Sequence, residues 1–221
     1  RVLTHEIMNS ITPIISLSET LSERGVPATL QDATGEKEYA VMLQAMQTIH
    51  RRSKGLLGFV ENSRRLTRLP VPVCTIVPVQ ELFTDLQKLF PDQTIHFELP
   101  PSDKVLDVDR AQIEQVLINL LKNAREASAR REVPKIEVKA SFAPKVTSSL
   151  SSWRCTITVR DNGEGILPEV QDKIFVPFFT TKTAGSGIGL SLCKQIMNQH
   201  GGNISVYSEP GKGSCFTLQF S

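Results

Sequence analysis

The sequence predicts an N-terminal antiparallel α-helical hairpin, a four-helix bundle as a dimer, followed by a C-terminal two-layer α/β sandwich. Three observations predict it. Apolar residues in the first 68 positions recur at helical and then at heptad spacing, and Pro70, Pro72 and Pro78 punctuate the chain just after them. Beyond those prolines, helical and alternating patterns mix at short range, which suits helices laid over a sheet. The expected domains are therefore residues 1–69 and 70–221.

At about 100° per residue, Leu3, Ile7, Ile11, Ile14, Ser18 and Leu21 share one face of a helix over residues 1–24. His5, Asn9 and Thr12 fall on the opposite face. Gly25, Pro27 and Gly35 mark a connecting loop. A longer helix follows at 36–68, where Tyr39, Met42, Met46, Ile49, Ser53, Leu56, Val60 and Ser63 step alternately by three and four. Two helices cannot enclose a core, so this seam is expected to pair with a second copy of itself.

The second domain begins extended near Val71, with a helix expected at 79–90, a strand at Thr94–Leu99 and a helix from Asp109 to Ala129. Alternating strands are expected at Lys135–Phe142 and Trp153–Arg160, joined across a Ser-rich hairpin loop at Ala143–Ser152. A last helix at Gly187–His200 and strands at Asn203–Ser208 and Ser214–Phe220 complete the pattern. Asp109, with Gln112 three residues on, is a candidate helix cap, and Ile113, Val116, Leu117, Leu120, Leu121 and Ala124 are expected to pack inward.

Composition narrows the chemistry. With 40% hydrophobic residues in 221, the chain can bury full cores; with 25 basic against 23 acidic residues, net +2, it has no basic stripe for nucleic acid. Cys74, Cys155, Cys193 and Cys215 are dispersed and suggest neither a zinc site nor a disulfide framework, which fits a reducing compartment. No apolar run approaches the ~20 residues of a bilayer span and no signal peptide is recognisable. The chain opens on Arg1 in mid-helical rhythm, as a fragment of something longer would, so any membrane contact is expected through segments outside it.

Four patterns in the second domain carry chemistry. Asn119 and Asn123, four apart, project alike from a polar stripe that also holds Gln112 and Glu126; such a pair is either a solvated face or a source of neutral oxygen for a phosphate-borne magnesium ion. Asp161-Asn162-Gly163-Glu164-Gly165 follows a strand, as an ordinary turn or as a ligand-binding one with Asp161 able to accept from an exocyclic amine. Lys173–Phe179, with Phe175, Phe178 and Phe179, reads as the anchored hinge of a lid over about Leu167–Ala184, or as a core strand for which Pro177 is awkward. Gly185-Ser186-Gly187-Ile188-Gly189-Leu190 leads into a helix and can present backbone N–H groups to phosphate.

In this order, and with Gly211-x-Gly213-Ser214-x-Phe216 behind them, these segments resemble the N box, glycine boxes and F box of sensor histidine kinases, whose superfamily includes DNA gyrase and heat-shock chaperone ATPases. The resemblance covers residues 109–220 and implies a Bergerat-type ATP-binding fold. It implies ATP and Mg2+ as cofactors, with Asn123 the magnesium ligand, Asp161 the reader of adenine supported by Ser214, and Asn119 beside the reacting phosphate. Nucleotide contacts would come from Asn119, Asn123, Asp161, Gly163, Gly165, Ile166, Thr181, Lys182, Gly185, Gly187, Ile188, Gly189, Leu190 and Ser214. Thr4-His5-Glu6-Ile7-Met8-Asn9 is similar to the phosphoacceptor motif of the same family. His5 is then the nucleophile, Glu6 its proton acceptor, and Asn9 the residue that orients water to dephosphorylate a response-regulator receiver domain. Family members place proline directly after that asparagine; here Ser10, Ile11 and Thr12 precede Pro13, so the helix kink is expected about one turn lower. These implications describe a cytoplasmic homodimer, either free or as the cytoplasmic part of an inner-membrane receptor.

Overall fold

The computed structural model describes residues 69–144, 153–182, 185 and 187–220, together with helical positions between 11 and 22 and between 40 and 58. The chain divides between Arg68 and Leu69 into two compact units.

In the first unit the described positions are helical, and the two stretches meet through polar side chains. Ser18 Oγ lies 3.1 Å from His50 Nδ1, and Glu19 Oε1 lies 3.3 Å from both His50 Nε2 and Lys54 Nζ. Ile11, Ile15 and Ser18 are buried, whereas Ile14, expected on that face, is 44% exposed. Its neighbour Ile15, also apolar, takes that place, so burial follows the 11-15-18 spacing and not 11-14-18. Met42 and Ile49 are also exposed, at 48% and 49%, so the expected heptad seam is only partly covered within one chain.

The second unit is a two-layer α/β sandwich. It contains β1 (Thr75–Pro78), α1 (Val79–Leu89), β2 (Ile95–Glu98), β3 (Val105–Val108), α2 (Arg110–Ser128), β4 (Ile136–Pro144) and β5 (Trp153–Asp161). A short α3 (Pro168–Gln171) follows, then α4 (Gly189–Gln199), β6 (Asn203–Glu209) and β7 (Gly213–Phe220). Five strands form one sheet in the order β2-β4-β5-β7-β6, with β2 parallel to β4 and every other pair antiparallel. Asp161 therefore ends the central strand, opposite Ile136. Strand β3 was not anticipated; it pairs antiparallel with β1 in a separate two-stranded ribbon, Ile76 opposite Asp107. The β4–β5 hairpin pairs out to Pro144 and Trp153, and the loop expected beyond them falls largely outside the described residues.

Alternation explains which face of the sheet is covered. Ile136, Val138, Ile157, Val159, Phe216 and Leu218 point into the core, where α2 and α4 pack on the sheet and on each other. The six residues of α2 expected to point inward are all at most 3% exposed. Asp109 caps α2 as expected, accepting from the Gln112 N–H at 3.1 Å. The reciprocal arm is different: the Asp109 N–H donates to His200 Nε2 at 3.0 Å, and the Gln112 amide donates to the Pro70 carbonyl at 3.1 Å. Gln112 is thus buried under residues 70–73 and does not continue the Asn119–Glu126 stripe. His200 also closes the C-terminus of α4, its Nδ1 2.8 Å from the Ile196 carbonyl.

Candidate active site

A cavity of about 710 Å³ opens between α2, the segment after β5 and the N-terminus of α4. Every residue of the expected nucleotide set lines it except Gly163. At one end Asp161 is 5% exposed, its Oδ1 accepting from the Gly163 N–H at 2.8 Å and the Ser214 N–H at 3.3 Å. Gly163 thus supports the carboxylate from behind rather than forming the wall. Burial pushes the Asp161 carboxyl above its ordinary value, opposed by those two N–H groups and by the Arg131 charge.

Backbone packing decides why glycines sit beside Asp161. A Cβ on Gly165, at φ +74°, would lie 2.2 Å from the Glu209 carbonyl oxygen, and one on Gly213, at φ +107°, 2.0 Å from that of Asp161. Only glycine lets the two turns touch main chain to main chain. Ser208 completes this junction: its hydroxyl donates to the Gly213 carbonyl at 2.9 Å, accepts the Ile166 N–H at 2.8 Å and lies 3.0 Å from Ser214 Oγ. Gln171 of α3 donates to the Ile166 and Ser208 carbonyls, tying the start of the expected lid to the sheet. Neither Ser208 nor Gln171 was singled out from sequence, since a serine in a strand and a glutamine in a polar stretch carry no local signal.

At the other end, α2 presents Asn119 and Asn123 one turn apart. Asn119 Nδ2 points at Cys193 Sγ of α4, 3.8 Å away. Asn123 Oδ1 accepts from Lys182 Nζ at 3.3 Å, and the same ammonium pairs with Glu126. Helix α4 has no side-chain cap, unlike α2, and its first residues line the cavity, so its leading N–H groups are available to an anion.

The phenylalanine anchor differs from expectation. Ile174 is the buried residue of that segment; Phe175 and Phe179 are half-buried and Phe178 is 38% exposed. Phe178 sits at φ +68° and donates its N–H to the Gly187 carbonyl at 2.8 Å, a reversal that turns its ring outward. His5, Glu6 and Asn9 lie outside the described residues, as does Ser186.

Comparison with known proteins fits this geometry. Residues 108–221 match the family described as histidine kinase-, DNA gyrase B-, and HSP90-like ATPase. A putative NtrY-like sensor histidine kinase of Rickettsia bellii is 30% identical over 223 residues, which is 99% of this chain and 34% of the relative. The chain spans about a third of the length of that relative and of similar NtrY-like proteins. The catalytic domain of histidine kinase ThkA is 33% identical, with a TM-score of 0.55 over 66% of this chain and 94% of that domain. ThkA in complex with the response regulator protein TrrA is matched over 99% of this chain and 59% of that one, at 27% identity and a TM-score of 0.60. The chain belongs to the histidine kinase-, DNA gyrase B- and HSP90-like ATPase family, as a catalytic segment of the sensor histidine kinase kind.

Proposed function

We propose that residues 69–221 bind ATP in this cavity and that its γ-phosphoryl group is transferred to His5 and then to an aspartate of a response-regulator receiver domain. The observation that carries the reading is the polarity of the cavity: a buried carboxylate at one end, and at the other Asn119, Asn123, Lys182 and the uncapped start of α4. Asp161 accepts from the exocyclic amine of adenine, and the α4 N–H groups with Lys182 hold the phosphates. Asn119 stands beside the reacting phosphate. A magnesium ion fits the donors present, because Asn123 Oδ1 already accepts a cation, the Lys182 ammonium. A magnesium ion carried by the nucleotide phosphates would be held by Asn123 Oδ1, a neutral oxygen donor. Its chemistry is to neutralise phosphate charge as the bond to the leaving oxygen breaks.

In the first unit, residues 1–68, the neutral His5 imidazole attacks phosphorus, the γ-phosphorus to β-oxygen bond breaks with ADP leaving, and Glu6 takes the imidazole proton. Asn9 orients water for dephosphorylation of the regulator. ThkA seen with its response regulator supports the partner class. The exposed Ile14, Met42 and Ile49 support a homodimer in which these helices form a four-helix bundle. Among the described residues no helix is long and apolar enough to cross a membrane; a cytoplasmic location is the reading that the similarity to sensor histidine kinases supports.

Incubation with γ-labelled ATP tests the reading. Acid-labile label on wild type and none on His5→Gln is expected; phosphate release without acid-labile label would make the chain an ATPase instead. Ile49→Glu with Met42→Glu should convert a sedimenting dimer to monomer, and an unchanged dimer would remove the bundle interface.

A further inference from the structure

Arg131 stands outside the cavity, on the connection after α2, and no step above uses it. Its Nη2 donates to the Gly163 carbonyl at 2.7 Å and to the Gly211 carbonyl. Those carbonyls belong to two separate segments, the turn after β5 and the turn between β6 and β7. Gly163 on the first turn and Ser214, at the start of β7 just after the second, supply the N–H groups that converge on Asp161 Oδ1. The two turns are further joined by the Gly211 N–H donating to the Glu164 carbonyl at 2.7 Å, and Glu164 N–H to Ala127 of α2 at 3.2 Å.

We propose that Arg131 is a positioning residue of the nucleotide site, clamping both turns so that the N–H groups of Gly163 and Ser214 hold one oxygen of Asp161 and leave the other for the base. The inference rests on Asp161 as the adenine-reading group.

The charges around Asp161 support it. On its own turn Glu164 is exposed; on the β6–β7 turn Glu209 and Lys212 pair with each other; on α2 Glu126 pairs with Lys182; on β4 Glu137 pairs with Lys135 and also feels Arg160 of β5. Arg131 is the charge among the described residues that acts on Asp161, against the upward push of burial. Without it the carboxyl titrates at still higher pH, and the acceptor-only form is lost sooner as pH falls.

The test uses the 221-residue chain with 13C-labelled aspartate carboxyls, Asp161 assigned by its loss in Asp161→Asn. Asp161 is titrated without nucleotide, and ADP affinity is measured by calorimetry between about pH 5.5 and 8. Arg131→Gln should raise the Asp161 midpoint and weaken ADP binding about tenfold at neutral pH, with a loss that grows as pH falls. Arg131→Lys, which keeps the charge, should return the midpoint toward wild type. An unmoved midpoint in Arg131→Gln, or a loss of affinity that is equal at every pH, overturns the proposal. If the glutamine variant does not fold, Arg131→Lys decides alone: weaker ADP binding with a near-native midpoint supports the clamp, and wild-type affinity overturns it. Because the carboxyl titration needs no nucleotide, a midpoint shift without any effect of Asp161→Asn on ADP binding would sink the adenine assignment and not the charge effect of Arg131.

Discussion

Asp161→Asn is the sharpest single perturbation of the site, because it removes a charge while changing almost no volume. Oδ1 of the asparagine can keep the N–H groups of Gly163 and Ser214, which forces its amide nitrogen toward the cavity. A base amine then meets a donor where it needs an acceptor. The charge-assisted hydrogen bond that is lost contributes about 1.5–3 kcal/mol, and a buried donor left unpaired costs about 1–3 kcal/mol. Together these amount to about 2.5–6 kcal/mol, or roughly seventyfold to twenty-five-thousandfold in Kd. Calorimetry with a non-hydrolysable ATP analogue reads this directly. Stability should move the other way. Burial holds the folded carboxyl above its unfolded value, so its contribution to stability is complete below the unfolded pKa and is lost as pH rises through the folded one. Above its folded pKa the ionised group is a net cost in the nucleotide-free fold, and there the melting temperature of Asp161→Asn should match or exceed that of wild type. Affinity within about threefold of wild type, with the fold intact, would remove Asp161 from base recognition.

Three further outcomes test the surrounding structure. Leu120→Ala, which empties a fully buried site in α2, should lower unfolding free energy by about 2–5 kcal/mol in urea titration; a loss under about 1 kcal/mol would mean the helix is not packed as described. Lys182→Ala breaks a half-exposed ion pair with Glu126 and a hydrogen bond to Asn123 Oδ1, both at the surface, so thermal melting should barely move while Mg-ATP affinity falls about tenfold; equal affinity would exclude Lys182 from phosphate binding. Burial pushes the Cys155 and Cys193 thiols up to about 12, so at pH near 8 a thiol reagent should label exposed Cys74 quickly and those two only on unfolding, with rapid labelling of either refuting its burial.

Much of the ATP-binding unit was legible because its signals are local. Helix α2 declares itself through a cap and a 3.6-residue rhythm, and the glycine segments through composition, so Asn119, Asn123 and Asp161 could be named from the chain alone. What escaped depends on contacts between distant segments. Four residues, Val105–Val108, become a strand only because Thr75–Pro78 lies beside them. Gln112 looks like part of a polar stripe until Pro70 covers it. Ile14 and Ile15 are equivalent to any periodicity argument, and the second helix chooses between them. Arg131 carries no motif at all; its importance appears only when the turns at Gly163 and Gly211 are brought together.

The main-chain contact between those turns also bears on how the site can vary. Where Gly165 meets Glu209 and Gly213 meets Asp161 there is no side-chain volume to adjust, so this end of the cavity has no intermediate sizes to explore. Glu164 and Lys212, interleaved with these glycines, face solvent. A library saturating residues 161–165 and 209–214 and selected for nucleotide binding would thus show a comb, with rigid and permissive positions alternating along each turn. Divergence in ligand preference must be drawn instead from the opposite wall, where Ile174, Phe179 and Lys182 have side chains that can change length and charge.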